Sequence, residues 1–504
     1  MIGRARISAV FASIAFGVAL LWPAFYNGQP IFFGDTSAYI RGADAGVQAL
    51  LHRRSAWSLT GGDAIVQQRR GQESPAAMRI ARGSSLADKS IVSGRSAYYG
   101  ALLYLGDLSG GFWLSVALQS AAVVLAILLA LRAVGTRDSP LLIAGAGLIV
   151  AATTAPFFVS FLEPDIFAGV GVLVCATLLG GADRLRFGEW LIALALLAVC
   201  VLTHESHALI VAILLVLAVA RFLLTGAKGS TAFRVIGALA GAVLIAAVGQ
   251  LAFAAAVKHV IGAPPLRPPF LMARMIEDGP GYQYLRASCP RSAFTVCRYL
   301  DRLPVDANLF LWDPGPRGVF SAVSPPVRQA IAAEQTRFVL AVLAYAPWVE
   351  LRDAAGDLGE QLTMTGLQEF QYPDVLKRSF EEKIPLVHLR RLKGSAAYRG
   401  TMPVRPFSVL TGVICGLAAI VVLTALLWPP LRSTLPPRLI AVTAWIVIGL
   451  IVNSVVCGVL SGPHNRYAAR VAWLLPLAAF LIGDAAFERR RRAADAAAAS
   501  AEPA

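Results

Sequence analysis

The sequence is short of charge, of acidic residues above all, and of cysteine. Only 15% of its 504 residues are charged, with 30 Asp and Glu against 45 Lys and Arg. A soluble chain carries about a quarter. That shortage argues against an ordinary soluble enzyme and against a disordered scaffold. The 6 cysteines include no C-x-x-C and no zinc spacing, which argues against a disulfide mini-domain or a structural zinc site. Cys175, Cys200, Cys415 and Cys457 fall in apolar runs and read as core residues. No RNA- or DNA-binding signature accompanies the net charge of +15, so nucleic acid is not an expected partner. No internal repeat is visible.

What the chain does hold is apolar sequence, 57% of it. It is arranged in runs of about 20 residues, the length that spans a bilayer. The runs lie at 7–26, 112–131, 140–160, 165–182, 189–203, 206–224, 235–257, 406–428, 438–460 and 467–487. They predict an all-α polytopic protein with about ten transmembrane helices. The first run is long and lacks a small-residue cleavage site, so it reads as an uncleaved anchor. Basic residues sort to alternate short loops: Arg4, Arg6, Arg132, Arg137, Arg184, Arg186, Arg221, Lys228, Arg234, Arg432, Arg438 and Arg489 to Arg492. By the positive-inside rule both termini are cytoplasmic.

The resulting organisation is a membrane bundle (1–257) whose first outer loop is long (27–111), then a small mixed extracytoplasmic domain (258–405). The last three helices (406–488) and a cytoplasmic tail (489–504) follow. The outer domain opens on the Pro-rich lead Ala263 to Pro269, which is extended rather than helical. Cys289 and Cys297 lie in this domain, eight residues apart. In an oxidising compartment a local disulfide is the favoured reading, with free thiols the alternative.

Four non-basic polar clusters fall on the outer face: Asn27 to Tyr39, Phe161 to Asp165, Thr203 to His207 and Ser461 to Tyr467. Ionisable residues at membrane level mark function by default. Asp35 lies among Ile31, Phe32, Phe33 and Tyr39, where a carboxylate suits a general base or a helix N-cap. Glu163 and Asp165 form an E-x-D pair, suited to Mg²⁺ or Mn²⁺ or to capping the next helix. His204 and His207 sit in H-E-x-H, not the H-E-x-x-H of zinc peptidases, and suit hydrogen bonding or phosphate. His464 and Arg466 stand where a lipid-linked phosphate would lie, although an Arg there also snorkels. The first loop adds Arg53, Arg54, Arg69, Arg70, Arg79, Arg82, Lys89 and Arg95, with Ser93 to Tyr99 returning to the bilayer.

This layout resembles the GT-C class of integral-membrane glycosyltransferases, which use polyprenyl-phosphate-linked sugar donors. Asp35 after helix one, the pair Glu163 and Asp165 in the next outer loop, outer-face His and Arg residues and a separate outer domain carry the likeness. The chain has a single acidic residue at Gly34-Asp35-Thr36, and its outer domain precedes the last three helices. The outer domain also resembles segments of uncharacterised bacterial membrane proteins, which implies no function. The GT-C resemblance implies a bacterial inner-membrane transferase that inverts the anomeric carbon. Asp35 would be the catalytic base, and Arg466, His464, His204 and His207 would meet the donor phosphate. Glu163 and Asp165 would hold a metal. The implied partners are a polyprenyl-phosphate sugar, membrane lipids and an extracytoplasmic glycan, lipid or protein acceptor. The rivals are a lipid or solute transporter or flippase and a non-catalytic envelope-assembly protein.

Overall fold

A computed structural model describes residues 2–53, 55–59, 91–135, 139–226, 229–289 and 291–501. Arg54, Arg69, Arg70, Arg79, Arg82, Lys89, Arg137 and Lys228 lie outside the described residues. The chain is 79% helix, and the described residues hold no strand, only isolated bridges between Ile31 and Phe161 and between Val92 and Leu266.

The first half holds α1 (Ile2–Ala19), α2 (Thr36–Leu51), α3 (Ala97–Leu108), α4 (Trp113–Val134), α5 (Pro140–Ala151) and α6 (Ile166–Gly181). After these come α7 (Phe187–Thr203), α8 (Glu205–Thr225) and α9 (Ser230–Ile261). The segment 258–405 contains α10 (Phe270–Asp278), α11 (Pro280–Ser288), α12 (Pro325–Tyr345), α13 (Pro347–Thr363), α14 (Asp374–Lys383) and α15 (Leu386–Lys393). The chain closes with α16 (Val404–Leu427), α17 (Pro437–Ser454), α18 (Asn465–Ala472) and α19 (Leu474–Ala501).

Seven helical stretches among the described residues are long and apolar enough to cross a membrane, the build of a multi-pass membrane protein. The other three expected spans are α1, apolar over Ile7–Ala19, and the shorter apolar helices Pro140–Ala151 and Phe187–Thr203. The run at 140–160 breaks because Thr153 turns its hydroxyl onto the Val150 carbonyl and Pro156 starts a separate turn. Twelve helical residues reach about 18 Å, short of a ~30 Å hydrocarbon core.

Helix α6 is the axis of the bundle. The span Ile166–Arg184 is 83% buried, against 22% for Glu205–Thr225. Small residues permit this, since α6 packs on α4, α7 and α17 with little side chain between backbones. A β-carbon on Gly180 would lie 2.6 Å from the Val442 backbone nitrogen. At one end of these helices Arg438 pairs with Asp183 and Arg132 lies 3.6 Å from Glu189. The four polar clusters gather at the opposite end.

The regular elements in the described part of segment 258–405 are all helices, joined by loops, which corrects the mixed composition expected of it. Its buried positions recur three and four apart, as in Met272, Ala273, Met275 and Ile276, with no alternation to make a strand. It also divides between two cores. Met272, Ile276, Leu285, Phe310, Ile331 and Phe338 form a separate core, beside which Cys289 and Cys297 are joined by a disulfide. Phe370, Phe380, Leu389 and Leu392 instead belong to the core of the bundle.

Candidate functional site

Two of the polar loops are stitched together before any charge is placed. The Ile31 amide donates to Ser160 O at 2.8 Å, and the Leu162 amide donates to Ile31 O at 2.9 Å. Buried Gln119 donates its amide to Val159 O and Phe161 O, and Tyr99 donates to the Gln119 carbonyl. Thr36 donates its hydroxyl to Leu162 O at 3.0 Å and lies 3.4 Å from Glu163 Oε1. Asp35, Glu163 and Asp165 are therefore held on a backbone that side chains lock from below.

Asp35 stands at the N-cap position of α2, yet its side chain makes no cap bond. It is engaged by Arg95, whose Nη2 lies 2.5 Å from Asp35 Oδ1. Burial works to raise the Asp35 carboxyl. The charge and hydrogen bond of Arg95, with the charges of Arg466 and Lys383, outweigh burial and hold it below its ordinary value. Asp35 is thus ionised at neutral pH, and its side chain is 30% exposed. Glu163 goes the other way: burial, then the Asp35 charge, lift it well above its ordinary value. The two neighbouring carboxyls are thus shifted in opposite directions, the kind of separation that divides base from acid.

Asp165 also stands at a helix start without capping it. It is 2.9 Å from Arg470 Nη1 and 3.6 Å from Arg466 Nε. Arg470 is 1% exposed and its remaining donors reach Asn453 Oδ1 and Cys457 Sγ, so it is fully engaged. Arg466 lies over the rings of Phe33 and Tyr467. Its backbone amide bonds Glu369, but its buried Nη1 has no partner among the described residues. That leaves one cation aimed into the site with donor capacity to spare.

The histidines are less suited to phosphate. His204 accepts the Ser206 amide through Nδ1 and so caps α8. Burial and the Arg470 charge push it down to about 3, so it is neutral. His207 is buried with its ring against His204 and its Nε2 unpartnered among the described residues. His464 is tied through its backbone to Gln361, and burial with the Arg466 and Arg274 charges lowers its pKa. Among the described residues no group of three His, Cys, Asp or Glu is placed to hold a metal. The donors around Glu163 and Asp165 do not fit Mg²⁺ or Mn²⁺, because Arg466 and Arg470 already face Asp165.

All four expected clusters reach this end of the bundle. Asp35, Glu163, Asp165 and Arg466 form one charged group, with Arg95 and Arg470 completing it. Arg470 had a signal: it is one helical turn beyond Arg466, on the same face. Glu369 and Lys383 had none, since they arrive from the outer segment. Beside the group a narrow pocket, with room for about one water, is lined by Arg95, Ser96, Tyr98, His204 and Gln250. No protein-family model matches the chain, and neither the curated proteins nor the solved structures contain a significant match.

Proposed function

We propose that the chain is an inner-membrane glycosyltransferase that moves a sugar from a polyprenyl-phosphate donor to an extracytoplasmic acceptor, with inversion. One observation supports this most: an ionised, partly exposed Asp35 shares a site with Arg466, a cation with an uncommitted donor. A base and a leaving-group stabiliser must flank a single reacting bond. Asp35 takes the proton of the acceptor hydroxyl as its oxygen attacks the anomeric carbon. The bond from that carbon to the phosphate oxygen breaks and the electron pair leaves on the phosphate, which Arg466 meets. Arg95 orients Asp35 through Oδ1. No step passes through a metal.

A transporter is the second reading. It rests on the buried Arg470–Asp165 pair beside a π-helical turn at Val455–Val459, a feature common at functional sites.

The test is glycan and lipid-carrier analysis of cells carrying Asp35→Asn, beside the wild type and a deletion. Asp35→Asn is expected to express normally, lower transfer by about 10²–10⁴-fold, and accumulate the charged donor. A wild-type glycan profile in Asp35→Asn would remove the base assignment, and an unchanged profile in the deletion would shift the reading to transport.

A further inference from the structure

A second cleft lies apart from the charged group and shares no lining residue with the pocket beside it. It measures about 820 Å³ with its open mouth and lies between Asn27–Gln29, Gly111–Trp113 and the stretch His388 to Ser395. Arg390 and Arg391 line it and are exposed. Neither has a carboxylate within ion-pair distance among the described residues. The nearby acid is already committed, since Asp107 takes His388 at 3.1 Å and the Trp57 indole at 2.9 Å. His388 is held between the rings of Trp57 and Phe112.

Gln29 lines the cleft, and its buried Nε2 has no hydrogen-bond partner among the described residues. The 22-residue helix α4 begins at the cleft with Phe112 as its N-cap, which supplies no side-chain bond. Its first amides and the positive end of its dipole therefore face the opening. Gly111, at a φ of +95°, keeps the turn bare where a β-carbon would lie 3.3 Å from Arg391 Nη1. Two guanidiniums without an ion pair and a helix start form an oxyanion-binding set. Phe25, 56% exposed and stacked on Trp113, places the cleft at the depth of an aromatic belt.

We infer that this cleft binds a phosphate mono- or diester, held by Arg390, Arg391 and the start of α4. Phospholipid headgroups and soluble phosphates share that chemistry, and the experiment separates them. The full chain in phosphatidylcholine nanodiscs is titrated with inorganic phosphate in one arm and with short-chain phosphatidylglycerol in the other. The variants are Arg390→Gln/Arg391→Gln, both exposed positions, and Asp35→Asn. Binding in at least one arm is expected, weakened tenfold or more by the double variant and unchanged by Asp35→Asn. The arm that responds identifies the source. No binding by the parent protein in either arm, equal binding by the double variant, or an equal loss in Asp35→Asn overturns the assignment.

Discussion

Arg274 on α10 is surrounded by three carboxylates. It contacts Glu277 at 3.0 Å, Asp278 at 2.9 Å and both oxygens of Asp357 at 2.9 Å. One cation does not neutralise three anions. Burial, with the Asp357 and Glu277 charges, overcomes Arg274 and pushes Asp278 from 3.8 up to about 7. A raised acid binds its proton more tightly in the folded chain. Its contribution is therefore complete below about pH 4 and lost as the pH rises through 7. Thermal unfolding is expected to show stability falling by about 1–3 kcal/mol across that range, with a shallower fall in Asp278→Asn. An equally steep fall in the variant would exclude this residue as the source. Asp35 shows the opposite balance: Arg95 at 2.5 Å, with the Arg466 and Lys383 charges, outweighs burial and holds the carboxyl below its ordinary value.

The helices fit together through missing side chains. Gly180 on α6 faces Val442 on α17, where an added β-carbon would stand 2.6 Å from the backbone nitrogen and from Cγ2. The obstacle includes backbone, so the two helices must separate. Gly180→Ala is expected to destabilise the protein by about 1–3 kcal/mol. Gly188→Ala, where nothing lies within 4 Å, serves as the neutral control. Equal unfolding midpoints in detergent for the two variants would show that the contact carries no strain. The loss lies in packing, because lipid gives helices little hydrophobic reason to associate.

Across the whole molecule, charge is sorted to the two ends of the bundle. The Asp183–Arg438 and Arg132–Glu189 pairs mark one end, and the Asp35, Glu163 and Asp165 group marks the other. The outer segment covers the second end and donates Glu369 and Lys383 to it. Positive-inside sorting sets the expected orientation, with the tail in the cytoplasm. Arg352→Cys in the outer domain is expected to react with a membrane-impermeant maleimide on intact cells, and Arg490→Cys only after lysis. Both positions are exposed, and the four free cysteines among the described residues are buried. The reverse pattern, or labelling of both on intact cells, would overturn the orientation.

The sequence by itself determined the apolar runs, the sorting of basic residues and the clustering of acids and histidines at one set of loops. These are local properties, set by hydropathy over about 20 residues. It did not reveal where an apolar run is interrupted, as at 140–160, where the helix ends at Ala151 and Pro156 starts a separate turn. Only the tertiary structure decided which charges meet. Arg95 rather than a helix cap took Asp35, and Arg470 rather than a metal donor set took Asp165. It also divided the segment 258–405 between two cores. The physical reason is the same in each case: an ion pair, or a contact between distant segments, leaves no periodicity in the chain. It exists only once loop closure has brought its partners together.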